Sequence, residues 1–121
     1  MATFADICAL VGIGQSCAIA LAQAGADICM IQRPGSPTHE TTDAITKLGR
    51  TAKVVECDLA DLEAVRTVFP KALEAMGGEI HVLVNCAGIQ RRHPAVEFPE
   101  QDWDDVSVHS FCIVASVKIE C

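Results

Sequence analysis

Two short apolar runs, Ile7–Val11 and Ile28–Ile31, flank a glycine turn and an alanine-rich segment. A continuous apolar run of four to five residues suits a strand covered on both faces. Gln15–Ala24 between them is rich in Ala and Leu and predicts a helix, with Gly25 where a helix C-terminus favours glycine. A strand, a glycine turn, a helix and a second strand form a βαβ unit, which requires a parallel sheet and a right-handed crossover.

The alternation continues. Thr38–Leu48 predicts a helix ended by Gly49, and Ala52–Cys57 a third strand. Asp58 or Asp61 caps a helix over Leu62–Met76, with Pro70 expected to kink it. His81–Asn85 reads as a fourth strand, followed by a turn at Gly88. After Pro94 and Pro99, "EQDWDDV" starts another helix. The expected architecture is one α/β domain over residues 1–121: a Rossmann-like, doubly wound parallel sheet, truncated at about four strands. Residues 107–121 diverge from this rhythm. Within them "CIVASVKIE" alternates with period two, the pattern of a half-buried strand able to pair with the open edge of the sheet.

Composition narrows the function classes. The 121 residues are 50% hydrophobic and 21% charged, so a packed core is expected. A formal charge of −7 disfavours a nucleic-acid or anionic membrane partner. No apolar run approaches the ~18 residues of a membrane span, and "MATFADICALV" lacks a basic secretory start, so the expected location is cytoplasmic. The seven cysteines are odd in number and include no Cys-x-x-Cys pair. They read as reduced, buried thiols, with no metal site.

In a doubly wound sheet, ligands bind beyond the carboxyl ends of the strands. Gly12, Ile13 and Gly14 fill that place after the first strand, where glycine lets backbone and helix N-terminus approach a diphosphate. A tight packing turn is the alternative. After the second strand stand Gln32 and Arg33, with no carboxylate for ribose hydroxyls. Arg33 suits a 2′-phosphate or a solvated loop. Asp58, with Leu59 after it, can accept from an adenine amino group or cap a helix. Asn85 can tie strand-end loops together, while Ala87 and Gly88 leave room for a ribose or nicotinamide.

"GIGQSCAIALAQAGADI", "CDLADLEAV", "HVLVNCAGI" and "EFPEQDWDDV", in that order and spacing, resemble the short-chain dehydrogenase/reductase family over about Gly12–Val106. "KLGR" and "GIQRRHPAVEFPEQDWDDV" resemble its sugar-acid dehydrogenases of the 2-deoxy-D-gluconate 3-dehydrogenase type. The resemblance implies an NAD- or NADP-dependent oxidoreductase acting on a small carbonyl or alcohol such as a keto-deoxy sugar acid, usually as a homo-oligomer. It implies that Gly12, Ile13 and Gly14 cover the diphosphate. It also implies that Asp58 and Leu59 flank the adenine, and that Asn85, Ala87 and Gly88 line the cofactor cleft. Gln32 falls where NAD-preferring members are acidic, and Arg33 where NADP-preferring members carry arginine.

Three departures accompany it. The family pattern is Thr-Gly-x-x-x-Gly-x-Gly, whereas here Val11 leads directly into Gly12. A strand ending at Val11 leaves a clipped loop and predicts weak cofactor binding or none. The family's reaction uses a Tyr-x-x-x-Lys pair, and this sequence contains no tyrosine. After "DWDDV", Ser107, Val108, His109 and Ser110 replace the family's next Asn motif. His109 and Cys112 stand outside the family's catalytic positions, so no catalytic residue is assigned. The expected function is oxidoreductase ancestry without turnover by this chain alone; the alternative is a non-catalytic nucleotide-binding fragment or truncated splice product.

Overall fold

The computed structural model describes residues 3–7 and 12–107. His109, Cys112 and the alternating 111–119 segment lie outside the described residues.

Four parallel strands make one sheet in the order β3-β2-β1-β4, from β1 (Thr3–Ile7), β2 (Asp27–Gln32), β3 (Ala52–Glu56) and β4 (Val82–Asn85). Helices α1 (Gly12–Gln23), α2 (His39–Lys47) and α3 (Leu62–Ala75) form the crossovers, and residues 100–107 are helical. Side chains of β2 alternate between two cores. Ile28 and Met30 pack with Ala18, Ala22 and Ile45 of α1 and α2. Cys29 and Ile31 pack with Val65, Val68 and Ala72 of α3. Covering both faces explains why β2 reads as an unbroken apolar run. Small side chains at Ala18, 0% exposed, and Ala22 let α1 lie close to the sheet.

The first strand departs from the sequence expectation of Ile7–Val11. Ile7 pairs with Ile31 on one side and with Asn85 on the other, so the strands end together. The eight positions Ile7–Gly14 equal the family pattern in length. The clipped-loop expectation falls on residues 8–11, which lie outside the described residues. Gly12–Gly14 also form the opening turn of α1, which starts before the expected Gln15. Gly12 has φ +66°, a left-handed conformation that a residue bearing Cβ adopts at a cost.

Asp61 caps α3, its side chain accepting from the N–H groups of Glu63 and Ala64 at 3.0 and 3.3 Å. Asp58 instead accepts from Ala60 N–H at 3.0 Å, an Asx turn that starts the connection. α3 remains helical through Pro70, which lies on its exposed side. The chain at Gly25 closes α1 by Gly25 N–H to Ala22 C=O and Ala26 N–H to Leu21 C=O, at 3.0 and 3.1 Å, as glycine at φ +97° allows.

At the opposite edge from the strand ends, Asp27 Oδ1 accepts from Thr51 N–H at 2.8 Å and from Arg50 Nη2 at 3.0 Å. The Thr51 amide, aided by Arg50 and opposed by partial burial, holds this carboxyl below its ordinary value of 3.8. A depressed folded pKa stabilises the fold above the unfolded value and loses that effect as pH falls through the folded one. Asp27→Asn is therefore expected to lower stability at pH 7 by on the order of 1 kcal/mol. The difference from wild type should shrink below pH 4, measured by urea denaturation across pH. An undiminished difference at pH 2 would contradict it.

Candidate functional site

The aligned strand ends open onto a cleft of about 430 Å³. Four chain segments line it: Ile13 and Gly14 of α1, Ile31–Arg33 with Ser36, Cys57–Leu59, and Cys86–Ile89. These are the segments that follow the four strands, as expected of a sheet of this topology.

Each wall has its own chemistry. α1 directs its opening turn at the cleft, where the first N–H groups of a helix have no intrahelical acceptor. With the N-terminal end of the helix dipole, they favour an anion. At the end of β2, Gln32 is 2% exposed, and its Oε1 has no hydrogen-bond donor among the described residues. A buried amide oxygen without a donor carries a desolvation cost of about 1–3 kcal/mol, which a hydroxyl or amino group of a ligand would relieve. Next to it, exposed Arg33 lines the cleft, and its guanidinium has no hydrogen-bond or ionic partner among the described residues. Pro34 and Gly35 turn the chain back so that Ser36 N–H donates to Arg33 C=O at 3.2 Å. With Pro at its second position and Gly35 at φ +75°, this is a type II turn. Beyond β3, the Asx turn uses Asp58 Oδ1, while the side chain remains exposed on the cleft. Leu59 is 9% exposed and supplies an apolar floor.

The sequence-derived set is thus only partly brought together. Ile13, Gly14, Gln32, Arg33, Asp58, Leu59, Ala87 and Gly88 line the cleft. Gly12 and Asn85 do not. Gly12 precedes the residues that face the cleft, and Asn85 ends β4, an edge strand among the described residues, with its side chain exposed. Ser36, Cys57, Cys86 and Ile89 are additional lining residues. The "RPGS" turn was the available signal for Ser36. Arg91 lies 3.6 Å from Asp102, and Arg92 Nη2 donates to the Gln90 side-chain carbonyl at 3.2 Å; neither lines the cleft.

The thiols provide a local check. Burial pushes Cys29 up to about 11, and burial together with the charge of Asp58 raises Cys57. Cys17 and Cys86 are half-buried. Iodoacetamide at pH 8 is expected to modify Cys86 and Cys17 in the native chain, and Cys29 and Cys57 only in denaturant, read by peptide mass spectrometry. Equal native rates at Cys57 and Cys86 would contradict this placement. Among the described residues, no His, Cys, Asp or Glu group of three or more can hold a metal ion, and no helix is long and apolar enough to cross a membrane.

Comparison with known proteins agrees with this architecture. The short chain dehydrogenase family model matches residues 7–117. The chain is 44% identical over 95 residues to the 2-dehydro-3-deoxy-D-gluconate 5-dehydrogenase of Escherichia coli K12, covering 78% of this chain and 36% of that protein. The enzyme of the same name from Dickeya dadantii is 39% identical over the same shares. A putative short-chain alcohol dehydrogenase from Sinorhizobium meliloti superposes with a TM-score of 0.86 at 33% identity, covering 95% of this chain and 47% of that one. The chain therefore spans about a third of the length of these curated relatives and about half of this solved structure.

Proposed function

The chain belongs to the short-chain dehydrogenase family, and from that membership we propose that its cleft holds the adenosine diphosphate portion of a nicotinamide dinucleotide. The observation that carries this reading is the buried Oε1 of Gln32, a cleft residue, which has no donor among the described residues. It fits an adenosine ribose hydroxyl. The opening turn of α1 fits the diphosphate, and the free oxygen of Asp58 the adenine amino group. Arg33 fits a 2′-phosphate, so both NAD and NADP are accommodated, with the phosphorylated form favoured.

When bound, the dinucleotide supplies or accepts a hydride. This chain's residues bind and orient it. A proton must also reach or leave the substrate oxygen, and the phenol that serves the family is absent from these 121 residues. The chain by itself is proposed to bind coenzyme without turnover. The proposed substrate class of the wider reaction is a keto-deoxy sugar acid, supported by the names of the relatives. Arg92, paired among the described residues only with the neutral Gln90 amide, is the cation proposed for the substrate carboxylate.

The test is a fluorescence titration with NADPH and NADH beside an assay of coenzyme-linked carbonyl reduction. Saturable binding tighter than ~1 mM without turnover is expected. Absence of binding at that concentration would overturn the nucleotide reading, and turnover would overturn the argument from the absent phenol.

A further inference from the structure

We propose that Gln15 and Thr41 form a clasp that holds the two phosphate-facing walls of the cleft as one body. Gln15 directly follows Gly14 in the opening turn of α1. Its Nε2 donates to Thr41 Oγ1 at 3.0 Å. Thr41, 1% exposed, lies near the start of α2. α2 follows the loop that brings Arg33 and Ser36 to the cleft. The bond joins residues 26 apart in sequence, one beside the diphosphate wall and one beside the ribose wall.

An apolar side chain at Thr41 would fit an alanine-rich interface of this kind. A buried hydroxyl there fixes one geometry, because a shifted α1 leaves polar atoms unpaired. The aliphatic contacts of Ala18 and Ala22 with Ile45 lie in the same two-helix interface but tolerate sliding; the directional bond does not. Gln15 and Thr41 are thus positioning residues for the turn that carries Gly14. The consequence for binding rests on the nucleotide reading; the consequence for the free chain does not.

Gln15→Met, Thr41→Val, their double variant and Thr41→Ser test it. Thr41 makes a further contact, so Gln15→Met isolates this bond. Hydrogen exchange of the free chain is read at the N–H groups of Ser16, Cys17 and Ala18, whose acceptors lie in the opening turn. Both single variants should exchange there about tenfold faster. The double variant should be no faster than either, Thr41→Ser should match wild type, and amides of Val65–Ala72 in α3 should be unchanged. NADPH affinity should fall in the same variants in proportion to the share of chains with a displaced turn. Unchanged exchange at Ser16–Ala18, or equal acceleration in α1 and α3, would overturn the clasp. A wild-type chain that binds no NADPH would overturn the nucleotide reading and the coupling to binding, while the exchange result decides the clasp separately.

Discussion

Ile45→Ala is expected to destabilise the chain by about 3 kcal/mol, within the 2–5 kcal/mol range of buried isoleucine truncations. Ile45 is fully buried and is the one large apolar side chain that α2 contributes to the core, beside Thr41. It packs under Ala18 and Ala22 of α1 and on Ile28 and Met30 of β2. Those neighbours cannot fill the space, because alanines are short and the strand positions are fixed by pairing on both sides. A domain of this size has about 5–15 kcal/mol in total, so the loss is a large fraction. The urea midpoint should fall with an unchanged slope. Leu48→Ala, at a residue 42% exposed at the end of the same helix, should cost well under half as much. A loss below about 1 kcal/mol at Ile45 would show that α2 is not anchored as described.

The second large effect is on coenzyme affinity. Arg33→Ala is expected to weaken NADPH by tenfold to about a hundredfold, the range of one lost charge-assisted contact, while NADH changes less than about threefold. Gln32→Leu should weaken both coenzymes, because the ribose contact is common to them. It should also leave stability unchanged or raised, since it removes a buried oxygen that has no donor among the described residues. The pairing of lower affinity with undiminished stability separates a ligand-facing role from a packing role. Equal losses for NADPH and NADH in Arg33→Ala would place that guanidinium away from any 2′-phosphate.

Much of this was legible in the residues. The unbroken apolar β2 run announced a strand covered on both faces, and Gly25 and Gly49 marked helix ends. Topology then placed residues from all four strand-end groups on one cleft, as a parallel sheet does once its strands end in register. The errors have physical causes. "ICALV" is apolar throughout, so periodicity alone could not show where the strand stops; pairing with Ile31 and Asn85 ends it at Ile7. Asp58 and Asp61 are both plausible caps by type, and the backbone geometry assigns the helix to Asp61. Asn85 ends β4 with its side chain exposed and stands outside the cleft lining. Ser36 and Cys57 reach the cleft through a turn and a buried strand end, features that residue type does not announce.

Backbone amide shifts of the isotope-labelled chain, followed by NMR during NADPH addition, test the central claim most directly. Saturable changes concentrated at Gly14, Gln32, Arg33, Asp58, Ala87 and Gly88 are predicted. No change at these amides at ~1 mM coenzyme, or changes confined to the region of Phe98 and Trp103, would contradict it.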